Sequence, residues 1–265
     1  TALAGSLVAF SANAVELSVA GGVELTYTTT GGNHANDVTG NPYGANSGVT
    51  FTASGDVGFG TLSATRAMAD LGSIATSHQS LDMGDLGTLS FDTNGGGLVG
   101  ISANDDLNPS AYEESWAGVS GSGITGVGSI NVIGYKNTFS GVSVSLGYQK
   151  GVGATGTGES SSSGEGTRGT ITDIYVSMSP FDGLTVGGGT STNTNPNAAT
   201  DATSDTQEWV SQVQYSSGPI SVGYRAGESD SGVAATAGTE IESYSIAFNV
   251  NDNFAISYGE QGWTK

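Results

Sequence analysis

Between positions 105 and 114 the chain gathers Asp105, Asp106, Glu113 and Glu114 around Asn108, Pro109 and Tyr112, although charged residues make up only 12% of its length. Carboxylates gathered in a chain that otherwise spends charge sparingly concentrate negative potential. They can attract cations, most strongly where low-dielectric walls focus their field. The same residues would also suit a solvated acidic surface loop, or one that holds calcium loosely. The elements that carry the loop decide between these uses.

Other chemistry is sparse. Gly121-Ser122-Gly123-Ile124-Thr125-Gly126 and Gly151-Val152-Gly153-Ala154-Thr155-Gly156 both fit the dinucleotide-binding spacing. With 44 glycines about one such match arises by chance, and neither opens a helix. His34 and His78 sit in separate polar stretches without a second His or Cys nearby, which argues against a transition-metal site. No nucleophile elbow occurs, and the chain reads as a non-enzyme without a required cofactor. Six Lys and Arg against 25 Asp and Glu give a net charge of −19, which argues against nucleic acid as a partner. With no cysteine there is no disulfide framework.

The elements follow from a period of two. From Val15 to Tyr27 the odd positions Val15, Leu17, Val19, Val23, Leu25 and Tyr27 are apolar, while Glu16, Ser18, Glu24 and Thr26 hold the even ones. Successive strand side chains point to opposite faces, so this is a long strand with one greasy and one polar side. Mean hydropathy is near zero, and no run approaches the roughly 18 apolar residues of a membrane helix.

Hairpins recur along the chain, with turns expected at Val57-Gly58-Phe59-Gly60, Gly84-Asp85-Leu86-Gly87, Asn137 to Gly141, Pro180-Phe181-Asp182-Gly183, Ser217-Gly218-Pro219 and Asn251-Asp252-Asn253. That makes about thirteen strands, with six short turns alternating with six longer polar loops. The Ser-, Gly- and Thr-rich stretches 155–169 and 191–205 read as such loops. Tyr27, Tyr135, Tyr148, Tyr215 and Tyr258 fall near strand ends on the apolar parity, where an interfacial girdle would put them. The layout is that of an all-β transmembrane antiparallel barrel spanning residues 15–265 as one domain. Residues 1–14, ending in Ala12-Asn13-Ala14, read as the remnant of a secretory signal peptide. The competing reading is a secreted acidic β-rich adhesin or surface-layer protein that binds calcium.

Two segments carry a family resemblance. Gly84-Asp85-Leu86-Gly87-Thr88-Leu89-Ser90-Phe91 resembles the turn and strand before the constriction loop of general bacterial porins, and Tyr135-Lys136-Asn137-Thr138-Phe139-Ser140-Gly141 resembles the hairpin after it. The similarity is greatest to porins of alphaproteobacteria. It implies a sixteen-stranded barrel. It further implies a homotrimer in the outer membrane of a Gram-negative bacterium, exported through the periplasm, with each protomer passing ions and small hydrophilic solutes.

Porins of this family end on a strand closing with a terminal aromatic, whereas this sequence stops at Gly262-Trp263-Thr264-Lys265 and so reads as a fragment lacking C-terminal strands. The resemblance makes residues 92–129 the constriction loop, with Asp105, Asp106, Glu113 and Glu114 at the eyelet and a weak cation preference. Basic residues are then expected on the facing wall. Lys136 matches the basic position of the family hairpin, and Lys136 and Arg225 fall on the lumen parity. Arg66 shares parity with Leu62 and Ala64, which aims it at lipid unless a bulge intervenes or it lies near the rim.

Overall fold

A computed structural model of the chain describes residues 16–27, 42–69, 74–101, 103, 108–109, 124, 126–128, 130–150, 170–194, 205–230, 238–251 and 254–264. The alternating segments form thirteen strands: β1 (Glu16–Tyr27), β2 (Tyr43–Asp56), β3 (Thr61–Met68), β4 (Ile74–Asp82), β5 (Thr88–Asn94), β6 (Val132–Phe139), β7 (Val142–Gln149), β8 (Ile171–Phe181), β9 (Leu184–Asn193), β10 (Thr206–Ser217), β11 (Ile220–Ser229), β12 (Thr239–Asn251) and β13 (Phe254–Thr264). They make one antiparallel sheet in chain order, a barrel wall that is not closed. Among the described residues β1 pairs with β2 alone and β13 with β12 alone.

Short connections fall where the sequence indicates. At β6–β7 the turn is tighter than expected: Asn137 to Phe139 stay in the strand, and Ser140 (φ 51°) and Gly141 (φ 83°) form a two-residue turn with both backbones left-handed. That geometry matches the twist of the strands it joins. Asp82 closes the β4–β5 turn by accepting the Gly84 N–H at 2.9 Å. The expectation of six longer loops fails at one place. β3 runs on to Met68 and β4 begins at Ile74, so only residues 69–73 separate them. His78, expected in a loop, lies within β4 opposite Asp92, and β9 continues to Asn193 into a stretch expected to be loop.

The two faces of the sheet differ in kind. Leu17, Val19, Phe51, Leu62, Leu89, Ile133, Leu146, Ile174, Val213, Val222 and Ile246 all point to one side and are exposed. Phe59, Leu86, Phe139, Phe181 and Phe254 ring its short-turn end. At the opposite end Tyr27 and Tyr43 meet edge-on at 5.4 Å. Nearby on that face Trp209 donates to Glu228 at 3.0 Å, Tyr224 to Glu242 at 3.0 Å, and Tyr244 to Glu260. An exposed apolar band between two aromatic rows is the outer surface of a membrane barrel. The other face carries Ser, Thr and Gly, with buried apolar residues where the segment after β5 lies against it.

The buried apolar clusters of the described residues lie on that inner side. Ile101 and Ile124 pack with Tyr175, Val210 and Ile241 of the wall, and Val99 and Val127 pack with Val132 and Ile171. The core therefore sits between wall and inserted segment, a place where the period-two pattern alone expects only small polar residues. Facing sets the cost of a charge: Val213→Arg, on the outer face of β10, should lower stability in lipid vesicles by about 2–4 kcal/mol in urea unfolding. Gln214→Arg, one residue on and facing inward, should cost much less.

Candidate functional site

Between β5 and β6, the described part of the connecting segment lies against the inner face of the wall through residues 98–101, 108–109, 124 and 126–127. Glycines at inward positions make room for it. A Cβ added at Gly134 would sit 2.4 Å from Val99, one at Gly147 2.7 Å from Val127, and one at Gly227 2.3 Å from Ile124. Farther round, Pro109 lies over Gly223, and Asn108 donates its amide to Ser243 Oγ at 2.7 Å. The described parts of the segment thus reach from β6 to β12.

A backbone lying across a completed sheet finds no free strand edge, so its N–H groups need other acceptors. Wall carboxylates supply them. Asp173 Oδ2 accepts Ile101 N–H at 3.2 Å from the outgoing limb and Val127 N–H at 2.9 Å from the returning limb. Glu208 Oε2 accepts Gly126 N–H at 2.7 Å, while its Oε1 accepts the Ser229 hydroxyl at 3.0 Å. Ser145 Oγ accepts Gly100 N–H at 2.8 Å. At the start of the segment Asp92 Oδ1 accepts from Asn94 and Gly96, and Gln149 donates its amide to the Ile130 carbonyl at the end.

Asp92, Asp173 and Glu208 are all buried. Burying a carboxylate costs several kcal/mol unless hydrogen bonds replace its water, and bonds from N–H to an ionised acceptor are the stronger kind. Gly100 (φ 75°) and Gly126 (φ 52°) are required beside this clasp. Both backbones are left-handed, and a Cβ on either would lie 2.3 Å from Asp173 Oδ2.

The candidates named from sequence occupy different surroundings. Asp105, Asp106, Glu113 and Glu114 lie outside the described residues, as do residues 1–14, His34 and the glycine motif 151–156. Lys136 is on the inner face, on the short-turn side of the inserted segment, in register with Thr88 and Ser145. Arg225 is also inward, between Gln212 and Ser243, but only 2% exposed. Arg66 does not join them. It points outward with Leu62 and Met68, opposite Phe51 and two residues from the end of β3, with the bulge of this strand falling after it, between Ala67 and Met68.

The clasp residues Asp92, Asp173 and Glu208 were not anticipated. Their signal was present, since each carboxylate stands on the inner parity of a strand in a chain that spends charge sparingly.

No family model and no curated protein sequence matches this chain. Solved structures do. The anion-selective porin of Comamonas acidovorans aligns over 94% of this chain and 78% of its own, at 17% identity and a TM-score of 0.61. OmpT of Vibrio cholerae in its trimer form aligns over 96% and 79%, at 14% identity and 0.57. Salmonella typhi OmpF in complex with daunomycin aligns over 94% and 79%, at 14% identity and 0.56.

Removing the clasp tests its weight. Asp173→Ala strands two buried N–H groups, each worth about 1–3 kcal/mol, and should lower the unfolding midpoint. Hydrogen exchange at Ile101 and Val127 should accelerate. Asp173→Asn keeps a carbonyl acceptor and should retain most of the protection; equal exchange in all three proteins would show that the clasp does not hold the segment.

Proposed function

We propose, from a chain with the fold of bacterial outer-membrane porins, that this protein is a water-filled channel for passive diffusion of ions and small hydrophilic solutes across the outer membrane of a Gram-negative bacterium. The observation that carries the reading is that the described parts of the segment between β5 and β6 are held against the polar inner face while the opposite face presents an exposed apolar band. A soluble adhesin would need a second layer over its apolar face. Among the described residues there is one sheet, and the face that is covered is the inner one.

Passage by diffusion needs a constriction and polar walls, with no bond made or broken. The inserted segment narrows the lumen, and Ser, Thr, Gly and Lys136 line what remains, while the clasp residues stay buried beneath the segment. Asp105 and Asp106 precede Asn108, the residue bonded to Ser243, by three and two positions in sequence. In this reading those two carboxylates, with Glu113 and Glu114, border the opening and favour cations. Buried Arg225 and the single Lys136 are too few to reverse the sign. Trimeric assembly, one pore per protomer, belongs to the same proposal.

Charges facing water are screened over about 8 Å at physiological salt, so selectivity should be weak and fade as salt rises. In planar bilayers the protein should conduct in steps of three. Changing Asp105 and Asp106 to Asn together with Glu113 and Glu114 to Gln should move the zero-current potential in a salt gradient toward anions while the pore stays open. An unchanged potential would remove these carboxylates from the conduction path.

A further inference from the structure

Below the inserted segment, toward the short turns, the inner wall of β5–β8 holds a recess of about 460 Å³. Register explains its shape. One row of inward side chains runs Thr88, Lys136, Ser145, Tyr175, and the next runs Thr138, Ser143, Ser177. Short hydroxyl side chains make the floor, and the long side chains of Lys136 and Tyr175 stand at its sides. The Ser145 hydroxyl accepts the Gly100 N–H, which leaves its own proton to donate, and Thr138 and Ser143 hydroxyls lie 2.9 Å apart.

The charge balance here is opposite to that of the chain. Among the described residues no carboxylate lines the recess, in a protein with a net charge of −19. Lys136 has no hydrogen-bond or carboxylate partner among the described residues. The nearest carboxylate by register, that of Asp82 opposite Thr88, is turned to the Gly84 N–H. An ammonium facing the lumen among hydroxyl donors repels cations and supplies several donors to one acceptor-rich ligand.

We propose that this recess is a subsite for small oxyanions of the phosphate class, with Lys136 as the charge partner and the hydroxyls of Thr88, Ser143, Ser145 and Ser177 as donors. The inference rests on the pore reading for access from solution, and it adds an anion station on the turn side of a cation-preferring constriction. Oxyanions entering from the turn end pause there, and phosphate reduces ionic current from that side.

The test uses the full chain refolded in detergent micelles, with inorganic phosphate followed by ³¹P line broadening and KCl conductance measured on the same preparations. Broadening by the unaltered protein should saturate. Lys136→Gln should weaken it about tenfold, the loss of one charge-assisted bond, and Lys136→Arg should keep it. Ser177→Val, which removes a floor hydroxyl without touching the charge, should weaken binding, and unchanged broadening would remove Ser177 from the donor set. Absence of saturable broadening, or equal broadening by Lys136→Gln, overturns the subsite. The two readings separate cleanly: conduction without saturable phosphate broadening leaves the pore and removes the subsite, and Lys136-dependent broadening without conduction does the reverse.

Discussion

One oxygen atom, Asp173 Oδ2, holds both limbs of the inserted segment by their backbone N–H groups, and the interior of this barrel is arranged around that clasp. The wall strands satisfy one another through their ladders, so a chain folded into the lumen arrives with donors that no strand edge can take. Carboxylates projecting from the wall meet that need. They are tolerated there because hydrogen bonds replace lost water, and because Glu208, Ser145 and Asp92 share the load. The apolar clusters flanking the clasp then remove Val99, Ile101, Ile124 and Val127 from water, each worth about 1.5–3 kcal/mol.

The two faces of the sheet meet opposite solvents, and the distribution of charge follows. Outward carboxylates stay at the aromatic row, where Trp209, Tyr224 and Tyr244 donate to them, while the middle of the outer face is apolar. The inward carboxylates Asp92, Asp173 and Glu208 hold the segment, so the acidity of this chain is partly structural. The inward cations are divided as well. Arg225 is buried beside the clasped segment, and Lys136 stands at a recess without a counter-charge, so two residues of the same sign on the same face perform different tasks.

Strands, hairpins and the assignment of faces were legible in the sequence because a strand repeats every two residues and its pattern is read locally. Leu146 and Tyr148 pointing outward, Lys136 and Arg225 inward, and the count of thirteen strands all follow from that period. Local reading failed where an element ended without a turn signal: Ala67 and Met68 continued β3, and the connection to β4 shrank to residues 69–73. The family resemblance led to the expectation of an inserted loop, but not of what holds it.

Asp173 lies 72 residues from Ile101 and 46 from Val127, and Glu208 lies 82 from Gly126. No pattern within a strand encodes such separations. The pairing register and the curvature of the wall bring β5, β8 and β10 under one segment, and this alone made Asp173 and Glu208 clasp residues and Gly134 and Gly147 clearances. The sequence by itself determined which way each side chain faces, since that depends on neighbours one bond away. Only the tertiary structure decided which inward side chains meet, since that depends on how thirteen strands are stacked side by side.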